Sequence, residues 1–470
     1  MTVSAAAGPA TPEGGTVTRP GTRRNVELLL ILLATGIILA LSVSVEAALD
    51  QGITLNSLYL PLGLGVIFLA AHMAVRFLAP YADPVILPCV ALLNGLGVMF
   101  ISRLSLSEVT DKYEGEGMRQ WFWTVAAVLL FSALLVFVRD HRVLSRFSYT
   151  AGLAGVVLVM LPAILPGRFS EINGAKLWII IPGVGQIQPG EFAKLLLMVF
   201  FASYLVNKRD VLSLASKRVI GIDLPRGRDL GPVLAAWIIS LLVLVFEGDL
   251  GQSLMYFGIF IVMLYIATER TSWLLIGLGL FMTGAILAYQ VVGKVADRVA
   301  IWQDPFAFRE TTGFQLVEAL FGLGTGGLFG TGPGSGQPEN VPFASSDFIV
   351  ATIGEETGLF GLGAVLMLYM LIAARGIRAS LDVRDSFGKL LAGGLSFSLG
   401  LQVFVIVGGV SKLIPLTGLT TPFLSFGGSS LMANWVLVGL LLRISDAGRR
   451  PSAVNMPVHL QHAQTEVVRL

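Results

Sequence analysis

The sequence is poor in the residues that build disulfides and metal centres. It has one cysteine, Cys89, and four scattered histidines, of which His459 and His462 are three residues apart and His72 and His141 lie elsewhere in the chain. One cysteine excludes an internal disulfide and a thiolate metal cluster, and within an apolar stretch it is typical of a small core residue. The sequence motifs of P-loop nucleotidases, dinucleotide-binding domains and zinc hydrolases are also absent. The sequence therefore lacks the residues needed for nucleotide hydrolysis, nicotinamide chemistry or zinc hydrolysis. A substrate must then already contain an activated leaving group.

Charged residues are scarce as well. They form 13% of the chain, whereas 54% of the residues are hydrophobic, far from the composition of a soluble domain. A helix needs about 20 apolar residues to cross a hydrocarbon core of about 30 Å, and about twelve stretches meet this need. They run near 28–47, 57–77, 84–102, 120–138, 148–166, 191–206, 230–247, 250–267, 272–292, 347–374, 390–410 and 426–443. Long apolar runs favour helices over a membrane barrel, so the sequence predicts an all-α polytopic membrane protein with about twelve spans.

The loops alternate in charge. Basic residues cluster at 23–24, 139–146, 208–228 and 375–389, and acidic residues predominate in the loops between them. Because cytoplasmic loops carry the excess of Lys and Arg, both termini are predicted to be cytoplasmic and the long segment 293–346 to face outward. The formal net charge is only +2 and no basic domain is present, which argues against a nucleic acid partner.

The first of three polar segments, residues 173–194, precedes the sixth apolar stretch. It carries Lys176, Gln188, Glu191 and Lys194 among glycines and prolines. Glu191 and Lys194 are three residues apart and share a face of a helix. An ion pair that complements the helix dipole explains them as well as a functional role does. Irregular backbone near a membrane persists only where it lines a cavity or is covered by protein, and this favours function.

The second polar segment is the long loop 293–346, which begins with Arg298, Trp302 and Asp304 and continues through Gln315 into a glycine-rich stretch. Glycines allow a close approach of backbone to a ligand, although such loops are common. The stretch LVEALFGL is predicted to be an apolar helix on the outer membrane surface. We expect the loop to form a mobile lid over a cleft that faces the membrane.

Asp347 ends this loop, just before a long apolar helix. An ionisable group at the edge of a membrane segment is a functional candidate. Ser345, Ser346 and Asp347 are also good N-cap residues, so a role in starting the helix is an alternative. Glu355 and Glu356 lie about two turns further along the helix, where a carboxylate is expected to face the protein interior and contact a partner.

The third polar segment, residues 409–431, contains Lys412, Ser425 and Ser429 among threonines, glycines and prolines. Backbone N–H groups at a helix start and a lysine suit an anion. A tight turn that lets helices pack closely through small residues is an equal alternative.

From residue 173 onward these segments contain, in order, NGAKLWI, QPGEFAK, EGDLGQSL, RVAIWQDPF, TTGFQ, SSDFIVATIGEETGLFG and PLTGLTTPFLSFGGSS. The motifs and their order resemble the SEDS family of cell-wall polymerases, and its elongation branch more than its division branch. The resemblance implies a GT-C-like fold with a ten-helix core over 81–445, including the outer loop 293–346. Residues 26–80 would then be a two-helix N-terminal addition, and 1–25 and 446–470 are expected to be disordered cytoplasmic tails.

By this resemblance, the chain is expected to be a peptidoglycan glycosyltransferase that polymerises lipid II during cell elongation and shape maintenance. Asp347 matches the essential carboxylate, and Glu191 and Lys194 match a functionally important pair. The acidic motif LPE that usually precedes the catalytic aspartate is replaced here by VPFASS, so the role of its glutamate is unfilled. The expected cationic groups for the pyrophosphate are Lys176, Lys194, Arg298 and Lys412.

Further expectations follow from the same resemblance. The supporting residues are Gln188, Trp302, Asp304, Gln315, Glu355, Glu356, Ser425 and Ser429. No organic cofactor is implied, whereas a divalent cation, Mg²⁺ or Mn²⁺, would suit the chemistry. The expected partners are lipid II, a class B penicillin-binding protein, the elongation machinery and membrane lipids, with the active site on the outer side of a bacterial plasma membrane. A lipid II flippase, a division-type polymerase and a non-enzymatic scaffold are the alternatives.

Overall fold

The computed structural model describes residues 22–49, 55–106, 111–172, 175–181, 185–212, 215–219, 222–225 and 231–451. The predicted disordered tails lie largely outside these residues. Where the tails meet the described chain, helix extends further than the sequence predicted, since the first helix begins at Arg24 and the last ends at Arg449.

The described chain is almost entirely helical. The helices are α1 (Arg24–Ala48), α2 (Leu55–Leu78), α3 (Ile86–Ser105), α4 (Glu116–Phe137), α5 (Val143–Arg146), α6 (Ser148–Ile164), α7 (Gly167–Ser170), α8 (Pro189–Leu212), α9 (Gly231–Glu247), α10 (Leu250–Thr268), α11 (Thr271–Val291), α12 (Gly293–Gln303), α13 (Phe314–Gly326), α14 (Ile349–Asp382), α15 (Ser386–Val410) and α16 (Gly428–Arg449). Single 3₁₀ turns lie at Asp111–Tyr113, Phe306–Phe308 and Pro338–Asn340.

Short strands form antiparallel pairs outside the helices. The strands are β1 (Glu171–Ile172), β2 (Ala175–Lys176), β3 (Ile179–Ile181), β4 (Gly185–Ile187), β5 (Ala215–Val219) and β6 (Ile222–Pro225). Consecutive strands pair, β1 with β2, β3 with β4, and β5 with β6. The polar segment before α8 is therefore built from two small hairpins.

Among the described residues, ten helices are long and apolar enough to cross a membrane. Two of the predicted spans are shorter apolar helices, α6 and the start of α9. Every stretch predicted from the sequence contains a helix, because only a helix satisfies its own backbone groups in hydrocarbon. The polytopic all-α fold is confirmed, whereas the total of twelve spans stays a prediction.

The core of the bundle surrounds Trp435 of α16. The indole stacks on Phe68 and meets Phe131 and Phe423 edge to face, and its Nε1 donates a hydrogen bond to Asn94 Oδ1 (3.0 Å). Aromatic pairs of this kind contribute beyond the area they bury. The contacts join α2, α3 and α4 to α16, so the N-terminal pair of helices packs directly on the remaining bundle.

The predicted outer loop is mostly ordered structure. Within it, α13 covers the LVEALFGL stretch, and its Leu316 and Ala319 are buried in a cluster with Phe348 and Ala351 at the start of α14. Part of the apolar surface of α13 is therefore buried against protein, while its Phe314 and Phe321 are exposed, and its position on the membrane surface stays a prediction. The mobility of the loop stays a prediction.

Helix α14 is broken at Gly358, whose φ of 68° is a conformation that favours glycine. The backbone groups that the break opens are bonded by the chain after α13. Leu359 N–H donates to the carbonyl of Gly327 (2.9 Å), and Phe360 N–H donates to that of Leu328 (3.1 Å). The interrupted helix thus keeps its backbone groups paired.

Two ends of the bundle can be distinguished. At one end, the turn before α14 is bonded to residues 425–426 just before α16 and packs on Val410 at the end of α15. Its Asp347 interacts electrostatically with Asp249 at the start of α10, which in turn interacts with Glu191 at the start of α8, and we call this the Asp347 end. The opposite end carries the chain before α3, the end of α14, the start of α15 and the end of α16, and we call it the Asp83 end.

Candidate active site

Asp347 lies in the turn two residues before α14. The N-cap of α14 is Phe348, and no side chain caps the helix, so the structure gives no support to an N-cap role for Asp347. Burial raises the pKa of Asp347 to about 6, although Arg298 opposes this shift, and Asp249 adds to it. The pKa of this carboxylate is thus set by burial and by the charges of Arg298 and Asp249, and the side chain does not cap the helix.

Arg298 of α12 is the cation beside this carboxylate. Its Nη1 donates a hydrogen bond to the carbonyl of Thr417 (2.9 Å). A Cβ atom at Gly418 would lie 3.5 Å from Arg298 Nη2 and 3.8 Å from Asp347 Oδ2. Gly418 has φ +76°, so the third polar segment passes both groups at a position where only glycine fits without strain. The loop, the aspartate and the third segment therefore meet at one point.

Asp249 is a second aspartate near Arg298, and the sequence reasoning did not select it as a site residue. It caps α10 through Oδ1, which accepts the N–H of Gln252 (3.0 Å), whereas its buried Oδ2 has no hydrogen-bond partner. Burial raises the pKa of Asp249 to about 6, although the N–H of Gln252 and the charge of Arg298 oppose the shift. The signal was present in the sequence, because Asp249 is the aspartate of the EGDLGQSL motif.

Glu191 and Lys194 form a buried ion pair in the first turns of α8. Lys194 Nζ donates to Glu191 Oε2 (2.6 Å) and to Gln402 Oε1 of α15 (3.0 Å). The pair lines a small polar cavity with Gln252 and Tyr256. The ion pair predicted for one helix face is present, whereas a functional role for the two residues stays a prediction.

The third segment ties the other polar segments together. Ser425 Oγ donates to the carbonyl of Ser346 (2.6 Å), and Phe426 N–H donates to that of Ser345 (2.7 Å). Ser429 Oγ accepts the backbone N–H of Gln188 (3.0 Å). The alternative of a tight packing turn therefore describes this segment, and the turn holds the residues directly before Asp347.

Glu355 and Glu356 do not join Asp347, from which they are about 12 Å along the helix. Glu356 Oε1 accepts from Arg103 Nε (2.7 Å), and its Oε2 accepts the N–H of Gly334 (3.0 Å). Glu355 Oε1 accepts the N–H of Gln337 (2.8 Å). The expectation that they face the interior and contact a partner fits, but their partners are the glycine-rich loop and Arg103, so they fix that loop and do not support the site.

The remaining candidate site residues lie away from Asp347 and from the Glu191 and Lys194 pair, or contact the site only through backbone groups. Trp302 Nε1 donates to the carbonyl of Lys412 (3.1 Å), while the Lys412 side chain is half-buried. Asp304 is exposed and accepts the N–H of Ala307 (3.2 Å), which makes it a turn residue. Gln315 on α13 and Lys176 on β2 are half-buried, and within the described chain neither contacts Asp347 or the Glu191 and Lys194 pair.

The arrangement suits proton transfer. A carboxylate whose pKa lies near the working pH is an effective general base, and Asp347 has this property beside a fixed cation. A divalent cation fits less well. Asp249 and Asp347 both interact with Arg298, whose positive charge disfavours a cation beside them. The described residues also contain no group of three or more metal-ligating side chains. We therefore derive no step through a metal.

Comparison with known proteins gives one consistent result. The family model for the FtsW/RodA/SpoVE cell cycle proteins matches residues 83–450. The peptidoglycan glycosyltransferase RodA of Mycobacterium tuberculosis is 51% identical over 432 residues, which cover 92% of each chain. The probable peptidoglycan glycosyltransferase FtsW of Geobacter metallireducens is 31% identical over 77% of this chain and 94% of its own. The crystal structure of Thermus thermophilus RodA has a TM-score of 0.56 at 25% identity and covers 80% of this chain and 100% of that one.

Proposed function

Because the chain belongs to the FtsW/RodA/SpoVE family, we infer that it is a multi-pass membrane peptidoglycan glycosyltransferase. Its identity to RodA of M. tuberculosis is higher, and covers more of the chain, than its identity to FtsW of G. metallireducens. We therefore assign it to cell elongation and the maintenance of cell shape.

We propose that its substrate is lipid II and that Asp347 is the general base. The 4-hydroxyl of an acceptor disaccharide attacks the anomeric carbon of a donor, the new glycosidic bond forms, and undecaprenyl pyrophosphate leaves. Asp347 accepts the proton of the attacking hydroxyl. The single observation that carries the assignment is a carboxylate that burial brings to a pKa of about 6, in the turn where the polar segments meet.

The pyrophosphate that departs gains negative charge, which fixed cations stabilise. Arg298 lies beside Asp347, and Lys412 is on the segment that contacts the helix of Arg298 through Trp302. Lys194 is less suited to this role than the sequence indicated, because Glu191 already compensates its charge in the interior. We assign the pyrophosphate to Arg298 and Lys412, and the Glu191 and Lys194 pair to the wall of the polar cavity.

The side of the membrane and the partner belong to the same proposal. The charge asymmetry of the loops supports an outward position for the Asp347 end. A glycan polymerase needs a transpeptidase to cross-link its product, and the family resemblance supports a class B penicillin-binding protein.

The test is polymerisation of lipid II by purified protein in detergent, with glycan strands resolved on a gel. Asp347→Asn is expected to lower the rate by about 10²–10⁴-fold, the usual worth of a general base. Asp297→Asn is the matched control, since Asp297 is exposed on α12 next to Arg298. A normal amount of polymer from folded Asp347→Asn protein would show that Asp347 is not the general base. No polymer from the unsubstituted protein would favour a flippase, because transport has no product in detergent.

A further inference from the structure

The turn that presents Asp347 is held from two sides. Phe426 and Ser425 bind the carbonyls of Ser345 and Ser346 on one side. On the other side lies Tyr113, at the end of a single 3₁₀ turn between α3 and α4, and its side chain is almost fully buried, with 2% exposed. No step of the proposed reaction uses Tyr113.

The Tyr113 hydroxyl spans the turn. It donates a hydrogen bond to the carbonyl of Val341 (3.1 Å) and accepts the N–H of Ala344 (3.2 Å). Its ring belongs to the apolar cluster that includes Phe348, the residue after Asp347. One side chain therefore fixes the backbone on both sides of Phe343.

Phe343 is the position that needs such support. It has φ +60°, an uncommon and strained conformation for a bulky residue, which persists only where the surroundings impose it. Its carbonyl accepts the N–H groups of Ser346 (3.0 Å) and Phe348 (3.2 Å), the two neighbours of Asp347. Lys112 places its Nζ 4.8 Å from the centre of the Phe343 ring. The backbone that flanks Asp347 is thus hydrogen-bonded to a strained residue that Tyr113 and Lys112 hold.

We propose that Tyr113 is a positioning residue for Asp347: its hydroxyl, bridging Val341 and Ala344, locks the left-handed turn at Phe343 and so fixes the direction of the carboxylate. Without the hydroxyl, the Val341 carbonyl and the Ala344 N–H lose a buried partner, which is costly, and the turn can relax away from the strained conformation. This inference rests on the proposed function of Asp347 as the base.

Tyr113→Phe removes the hydroxyl and keeps the ring. We expect kcat for lipid II polymerisation to fall by about tenfold to a hundredfold, since a base displaced by about 1 Å loses that much. KM is expected to stay unchanged, because Tyr113 does not contact the substrate. Tyr204→Phe is the matched control, as Tyr204 lies on α8 away from the turn and packs on Phe200. Wild-type kcat in Tyr113→Phe would overturn the proposal, and so would a fall that appears only in KM.

A second measurement does not depend on activity. In a Cys89→Ala background, Ser346→Cys places a thiol beside Asp347, and the rate of labelling by a membrane-impermeant maleimide reports how firmly the turn is held. We expect faster labelling when Tyr113→Phe is added and no change when Tyr204→Phe is added. Equal rates in all three proteins would contradict a locking role even if polymerisation could not be observed. Failure of the unsubstituted protein to polymerise would instead contradict the proposed function.

A second variant covers the case in which Tyr113→Phe does not fold. Lys112→Met removes a cation that lies 4.8 Å from the Phe343 ring and 5.3 Å from the Tyr113 ring, and it leaves the Tyr113 hydroxyl in place. An exposed cation–π contact is worth little, so we expect kcat to fall by about two- to fivefold, with faster labelling at Ser346→Cys. Unchanged kcat and labelling in this variant would count against the lock.

Discussion

Asp83 and Asp347 are both aspartates just outside membrane helices, one at each end of the bundle. Asp83 is fully buried, accepts the N–H of Val85 (2.9 Å) and pairs with Arg449 and with Arg375 (3.6 Å). Within the described chain, no hydrogen-bond donor contacts the Asp347 carboxylate, and its nearest cation, Arg298, donates to a backbone carbonyl. The Asp83 carboxylate therefore links three helices, whereas the Asp347 carboxylate has no such partner among the described residues and can accept a proton.

Asp385 lies at the same end as Asp83 and likewise accepts hydrogen bonds from its neighbours. Burial raises the pKa of Asp385, but hydrogen bonds from His141 Nε2 (2.9 Å) and the Gly388 N–H (2.7 Å) outweigh it, so the pKa lies well below its usual range. At the Asp347 end, burial raises the pKa of Asp347 and Asp249 by more than the nearby positive charge and hydrogen bonds lower it. A carboxylate with several donors holds the fold together, whereas one with few donors can serve chemistry.

The same substitution at the two ends is expected to separate these roles. Asp83→Asn leaves Arg375 without its anion and leaves Arg449 with Asp382 alone (3.9 Å), and breaking a buried pair costs about 3–5 kcal/mol. We expect the lower end of that range, since both arginines are partly exposed. Asp347→Asn is expected not to lower stability, because it removes a charge that burial disfavours. Thermal unfolding measures both, and an equal loss of stability in the two variants would erase the distinction.

The Glu191 and Lys194 pair lies between these extremes, because it is buried and paired at the Asp347 end. The sequence favoured a functional role for the pair, and such a role predicts that its variants lose activity more than stability. Burial changes this expectation, since Lys194→Met leaves the buried Glu191 side chain without its partner, at a cost of about 1–3 kcal/mol. The double variant Glu191→Gln/Lys194→Met is expected to recover part of the melting temperature but no polymerisation. Recovery of polymerisation in the double variant would show that the pair has a structural role only.

The smallest expected effects are opposite shifts in the pH profile. Asp347 acts as a base only when ionised, so the rate is expected to fall as pH falls through about 6. Arg298 lowers the pKa of Asp347 and Asp249 raises it. Arg298→Gln should therefore move the acidic limb to higher pH, and Asp249→Asn should move it to lower pH. The measurement is the pH dependence of kcat, and shifts in the same direction would show that the limb belongs to another group.

Local pattern was enough to predict the helices. Each apolar stretch of about 20 residues became helix because hydrocarbon leaves the backbone no other partner. Asp347 and the Glu191 and Lys194 pair were also selected from sequence, since charged groups at the margin of apolar runs are conspicuous, and their roles stay predictions. The hydrogen-bond partners of Glu355 and Glu356 could not be predicted from the sequence, because they come from the glycine-rich loop and, for Glu356, from Arg103 on another helix.

Tyr113 shows why the rest could not be predicted. It contacts Val341 and Ala344, more than two hundred residues away in the chain. Nothing in its neighbourhood distinguishes it from an ordinary interfacial tyrosine. Asp249 was missed for a related reason, since as a helix N-cap it needs no further explanation until Arg298 is placed beside it.

The break at Gly358 has a consequence for depth in the bilayer. Helix α14 has 34 residues, and unbroken it would be about 51 Å long, well beyond a hydrocarbon thickness of about 30 Å. Residues 359–382 alone supply about 36 Å, which already suffices with a modest tilt. The turns before Gly358 are therefore not needed to cross the hydrocarbon and can hold Asp347 at headgroup level. A polyprenyl chain can then remain among the lipid tails while its sugar reacts at the surface.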